Sequence, residues 1–287
     1  MACKLIVNTL RDKAICVRLT RRMYNPYRQD KGATEAAESA MGTINAGRFN
    51  KRLLRGCKEL KSAQNNYNEL YRYVMEHTLP WMDEGVRVLP NASYFDFASK
   101  VRALRERCDD AVRNLYNAWD QAIQDDHMPL NGMWNINDYP DKDRMMESWG
   151  ISLTFSPVPA STDFRIDMDE EDKQNLDAAI KSVEEKATDY LLKEILKPVR
   201  AMAEKLAVPI GADGAVFRDT LVTNLNDVIE RGRTLNINND PRIEEVLKDI
   251  EYAAKSITPN SLRESPIVRS TTQKAMAEVD KKISQWF

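Results

Sequence analysis

The residues best placed to do chemistry in this sequence are five cations close together, Arg48, Lys51, Arg52, Arg55 and Lys58. Phe49, Leu53, Cys57, Leu60, Tyr67, Tyr71 and Val74 recur at helical spacing, so the stretch reads as one helix that stops before Pro80, with the cations on its remaining surface. A positive face of this kind can track the phosphates of a nucleic acid or meet an acidic protein partner. It can equally be a solvated face, or pair with acids of its own fold such as the helix opening at Asp167.

The other constellations carry less. DMDEED, Asp167 to Asp172, has the look of a calcium loop, but its sixth position is Asp172 where glycine is needed and its twelfth is Ala178 where glutamate is needed. GADG, Gly211 to Gly214, is a lone GxxG and reads as a turn between helices. His77 and His127 stand near helix ends without HExxH or a Cys/His cluster, which fits capping or surface roles. Cys3, Cys16, Cys57 and Cys108 lie far apart with no CxxC, so the reading is four reduced thiols, with neither a zinc site nor a disulfide framework. Trp81, Trp119, Trp134 and Trp149 flank acidic sequence and are expected to pack the core. No Walker or cofactor motif and no matched acid/base pair is found, so no catalytic, cofactor or metal residue is assigned and an enzyme is not expected.

The elements that must position the cations follow from pattern. At 287 residues and 43% hydrophobic content the chain can bury a substantial core. It has no long apolar run and its start lacks the apolar core of a signal peptide, so the expected location is the cytoplasm. The net charge of −2 hides a polarity: Met1 to Lys61 holds 14 Lys and Arg against 5 Asp and Glu. Ile15, Val17 and Leu19 alternate with Cys16, Arg18 and Thr20, predicting a strand near 14–22. A Gly/Ala-rich connection with a short helix at Thr34 to Met41 follows. GVRVLP is strand-like, and Ser93 opens a helix of roughly 50 Å with a heptad seam from Tyr94 to Ala122. ISLTF and DFRI predict strands at 151–156 and 163–166 that complete a small sheet with 14–22. The acidic run then starts a helix with its stripe from Leu176 to Leu206, in which Pro198 predicts a kink or break. Asp240-Pro241, Thr258-Pro259 and Ser265-Pro266 each predict an N-cap with proline at the first helical position.

The order of these pieces, from the N-terminal strand through GVRVLP and FDFASKVRALRERCDDAVRNLYNAWDQAI to YPDKDRMMESWGISLTFSPVPASTDFRI, resembles a family of phage and bacterial proteins known only as a domain of unknown function. The resemblance covers about Leu5 to Leu206, with Gly85 to Pro90 and Tyr139-Pro140 as its landmarks, and the Gly/Ala-rich segment before Phe49 departs from the family pattern. Members are often encoded beside a MoxR-type AAA+ ATPase and a von Willebrand A domain protein. The resemblance therefore implies a phage-type source, the host cytoplasm as location and such a protein as partner; it transfers no catalytic residue.

The expectation is a mainly α protein with a small antiparallel sheet, an elongated helical body and long antiparallel coiled-coil-like helices, the Tyr94–Ala122 seam packing on Leu176–Leu206. A family-like domain at 1–206 precedes a helical region at 207–287. The function expected is that of a non-enzymatic interaction or adaptor protein, the alternative being a nucleic-acid-associated accessory protein that uses the basic helix. The oligomeric state is left open.

Overall fold

The computed structural model describes residues 10–81, 85–159, 169–209, 219–255 and 257–287. In chain order the elements are α1 (Leu10–Lys13), β1 (Ala14–Arg22), β2 (Tyr27–Gln29), α2 (Lys31–Met41), β3 (Asn50–Arg52), α3 (Lys58–Glu76), β4 (Leu79–Pro80), β5 (Val86–Pro90), α4 (Tyr94–Asp125), α5 (His127–Leu130), α6 (Lys142–Glu147), β6 (Gly150–Pro157), α7 (Glu170–Ala207), α8 (Thr220–Leu235), α9 (Pro241–Ala254), α10 (Pro259–Glu264) and α11 (Pro266–Ser284). The protein is mainly helical, and its described residues form a small four-stranded antiparallel sheet in the order β4-β5-β1-β6 and a separate pair, β2-β3. No helix among the described residues is long and apolar enough to cross a membrane.

The sheet forms where period-two residues meet. β1 runs antiparallel to β5 with Ala14 opposite Pro90 and Arg18 opposite Val86, and β6 flanks its other side. Ala14 and Cys16 turn one face of β1 into an apolar core while Val17 is buried on the opposite face, so the strand is covered on both sides at its start. Further along, Arg18, Thr20 and Arg22 are exposed. The expected strand at 163–166, the GADG turn and the start of the acidic run lie outside the described residues.

Contacts divide the chain into two compact units, one from the described parts of Met1–Arg18, Met75–Phe97 and Thr154–Phe287, the other from Leu19–Val74 and Ala98–Leu153. The expected boundary at 206 falls inside the first unit. There Asp169 caps α7 by accepting from Asp172 N, and Glu170, Glu171 and Asp172 fill the first turn, where carboxylates favour the free N–H groups. The α7 stripe, expected against α4, is taken up by α11 and α8 of its own unit. Pro198 does not break α7: the helix continues through it, because Ile195, Leu196, Val199 and Met202 on either side are buried and their packing offsets a cost of about 3 kcal/mol.

All three polar-proline pairs start helices: Asp240 accepts from Arg242 N, Thr258 forms a capping box with Ser261, and Ser265 accepts from Val268 N. Gly232 on α8 marks a close approach to α9, since a Cβ there would meet Leu247 Cδ2 of α9 at 2.8 Å. Gly232→Val is accordingly expected to destabilise the fold by about 2–3 kcal/mol through overpacking, measured by chemical denaturation, with Gly232→Ala smaller.

In the second unit the α4 seam is buried at Val101, Leu104, Cys108, Ala111, Leu115 and Ala122, joined by Val112, Trp119 and Ile123. Arg107 of α4 forms a two-pronged pair with Glu69 of α3 at 3.0 and 2.9 Å. On α3, Leu60, Ala63, Tyr67, Leu70 and Val74 face inward; Tyr71, expected on that stripe, is exposed under the Arg21 guanidinium at 4.5 Å. Trp149 and Tyr67 meet edge to face at 4.9 Å, as do Trp119 and Tyr24 at 5.4 Å.

Candidate functional site

The five cations do not share a helix. Arg48 precedes β3, Lys51 and Arg52 lie on it, Arg55 sits in the following turn and Lys58 is the first residue of α3. The helical spacing of Phe49, Leu53, Cys57 and Leu60 is overridden by the backbone: Leu54 is left-handed, at φ 57°, and the chain turns through Arg55-Gly56. Such a leucine costs about 1–2 kcal/mol on its own. Asp126, at the end of α4, holds it there by accepting from Leu54 N at 2.6 Å and Arg55 N at 3.2 Å.

Asp126 is 3% exposed and takes a third bond, 2.6 Å, from the Tyr139 hydroxyl. Burial first and this bond second push the Tyr139 phenol far above its ordinary pKa, so it stays protonated and keeps donating. The neighbouring Tyr24 phenol is raised to about 12, mainly by burial. With three donors on it, Asp126 acts as a pin for the turn; its oxygens are engaged within the fold.

Lys51 is a second pin. Only 5% exposed, it lies 3.0 Å from Asp30 Oδ2 and 2.7 Å from Asp138 Oδ2 and donates to Met133 O at 2.6 Å. Burial alone would lower its pKa, but the bonds to Asp138 and Asp30 outweigh it and the ammonium is held above its usual value. The set read as one cationic face therefore loses Lys51 to the interior, because two carboxylates compensate its charge there.

Asp30 also caps α2, accepting from Ala33 N at 2.9 Å, while Gly42 closes the other end in the left-handed region. The bond from Ala33 first and that from Lys51 next hold the Asp30 carboxyl below the usual range. Its folded pKa lies under the unfolded one, so its contribution to stability is complete above the unfolded value and is lost as pH falls through the folded value. An NMR titration of the Asp30 carboxyl carbon is expected to give a midpoint below about 3.9, and Lys51→Met should raise it.

Arg48, Arg52, Arg55 and Lys58 remain exposed, and their side chains make no hydrogen bond or ion pair among the described residues. Lys61, the last residue of the basic stretch, is also exposed and borders an open groove of ≈ 280 Å³ with Lys58, Ser62, Asn65 and Glu69 among others. On the other side of Lys58 a cleft of ≈ 450 Å³ runs between the turn and α4, lined by Gly56, Cys57, Ala118, Gln121 and Asp125 among others. Cys57 there accepts from Leu60 N at 3.3 Å, and its thiol is raised chiefly by burial. His127 is exposed against the Trp134 ring at 4.9 Å and His77 is half-buried. No group of three or more His, Cys, Asp or Glu among the described residues could hold a metal ion.

Pattern reading missed Asp126, Asp138 and Tyr24, whose partners are distant in sequence. Asp30 had a local signal, a capping aspartate before Lys31. Tyr139-Pro140, a landmark of the resemblance, has a physical role: Tyr139 binds Asp126 and Pro140 O accepts from Trp119 Nε1 at 3.1 Å. Comparison with protein-family models, curated proteins and solved structures finds no significant match.

Proposed function

We propose that this protein acts by binding, as an interaction or adaptor component, and that it docks an anionic partner through Arg48, Arg52, Arg55 and Lys58. The observation that carries the reading is the division within this short stretch: Lys51 is buried between two carboxylates, whereas the four others are exposed and unpaired along the ribbon, the turn and the start of α3. Cations held in place without an internal partner are complementary to a negatively charged surface. The resemblance described above supplies the partner to test first, a MoxR-type AAA+ ATPase or a von Willebrand A domain protein offering acidic side chains. The second reading, phosphates of a nucleic acid, uses the same cations, now on a ribbon and turn.

The triple variant Arg52→Glu, Arg55→Glu, Lys58→Glu tests this. It touches none of the buried Leu53, Leu54, Leu60 and Lys51, so helix content and melting temperature are expected to stay unchanged. Capture of the partner should fall by about a hundredfold, since reversing several interface charges costs a few kcal/mol, and wild-type binding should weaken as salt rises. Unchanged, salt-independent capture by the variant contradicts the reading.

A further inference from the structure

We infer that the solvent face of the β2-β3 ribbon is a binding surface for single-stranded nucleic acid, with Tyr27 as stacking platform, Gln29 and Asn50 contacting base edges, and Arg48, Arg52 and Arg55 contacting phosphates. This rests on the docking-face reading above and names its partner.

The register creates the face. Tyr27 pairs with Arg52, Arg28 with Lys51 and Gln29 with Asn50, so strand alternation sends Tyr27, Gln29, Asn50 and Arg52 to one side and Arg28 and Lys51 to the other. The inner side is fixed: Arg28 Nε donates to Asp138 O at 3.2 Å, and Lys51 joins Asp30, Asp138 and Met133. The ladder is extended at both ends by Asp30 N to Phe49 O at 2.9 Å and Leu53 N to Pro26 O at 2.8 Å. The outer side is open. Tyr27 is 50% exposed, Gln29, Asn50 and Arg52 are exposed, and none of the four side chains has a bonding partner among the described residues.

An acidic protein surface would need the cations alone. A flat aromatic, directly across from an arginine and followed by a cross-strand pair of amides, adds groups that suit an unpaired base, which offers a π-face to stack and edges to hydrogen-bond. A duplex hides those faces within its own stack, so the combination favours single strands. Amides bind adenine edges in two-pronged fashion, which predicts a preference for adenine over thymine.

The test is fluorescence anisotropy of the full chain with oligo(dA), oligo(dT), oligo(rA) and a hairpin duplex over a range of salt. Low-micromolar binding of single strands is expected, with the duplex weaker and oligo(dA) tighter than oligo(dT); oligo(dA) against oligo(rA) separates DNA from RNA. Tyr27→Ala should lower affinity about tenfold while leaving the salt slope unchanged, as loss of one stacked base predicts. Arg52→Gln with Arg55→Gln should reduce the slope by about 0.7 per contact. Gln29→Ala with Asn50→Ala should narrow the dA/dT difference. If no oligonucleotide binds, if the duplex binds as well as single strands, or if Tyr27→Ala is silent, the inference is overturned. In that event, salt-dependent binding of the duplex or charge-dependent capture of an acidic protein leaves the docking-face reading intact, and the absence of both removes that reading as well.

Discussion

Arg269→Met is expected to destabilise the protein by about 3–5 kcal/mol, the sum of several charge-assisted bonds lost to buried carbonyls. Arg269 is 5% exposed on α11 and donates to Lys205 O at 2.9 Å, Leu206 O at 3.2 Å, Val208 O at 2.7 Å and Leu262 O at 3.4 Å. Three of these carbonyls lie at the C-terminal end of α7, where the last turn leaves C=O groups without intrahelical partners and the macrodipole is negative. The guanidinium closes that end. Methionine restores the volume but leaves the carbonyls unsatisfied, and Arg269→Lys should recover less than half of the loss because one ammonium cannot span the fork. Thermal unfolding followed by circular dichroism should show the midpoint falling on the order of 10 °C. A methionine variant within about 1 kcal/mol of wild type would show that the carbonyls are satisfied otherwise.

The second large effect concerns Asp126. Asp126→Asn keeps the shape but sets an amide N–H₂ against donors, so at least one of Leu54 N, Arg55 N and the Tyr139 hydroxyl loses its acceptor. A cost of about 3 kcal/mol in stability is expected, against about 1 kcal/mol for Tyr139→Phe, which removes one bond only. The more telling consequence is functional. Because Asp126 holds the left-handed Leu54, its loss should displace Arg55 and Lys58 and weaken anionic-partner binding although no cation has been changed. Urea denaturation gives the first quantity and partner titration the second; full-affinity binding by a destabilised Asp126→Asn variant would separate the pin from the docking face.

What could be read in the sequence follows the range of the forces involved. β1 was legible because alternation at Ile15, Val17 and Leu19 is a property of neighbours, and the starts of α9, α10 and α11 were legible because cap and proline are adjacent. The start of α3 was not. Leu53 and Leu54 are both buried, yet from a bend and a left-handed residue rather than from a helix, and the carboxylate that holds Leu54 stands 72 residues away. Lys51 was misplaced for the same reason: its interior position depends on Asp138, which no local pattern ties to it. Arg269 and Thr272 are polar members of the buried α11 stripe that continues through Met276, Val279 and Ile283, so hydrophobic periodicity passes over Arg269. At Pro198 the rule for proline was overridden by burial on both flanks of α7.

The central claim, that the protein works by docking an anionic partner on its exposed cations, is tested most directly by measuring partner affinity for wild type and for the Arg52→Glu, Arg55→Glu, Lys58→Glu variant in parallel at two salt concentrations. The account predicts wild-type binding that weakens steeply with salt and is lost in a variant of unchanged stability. Equal affinity of the two proteins at low salt would contradict it.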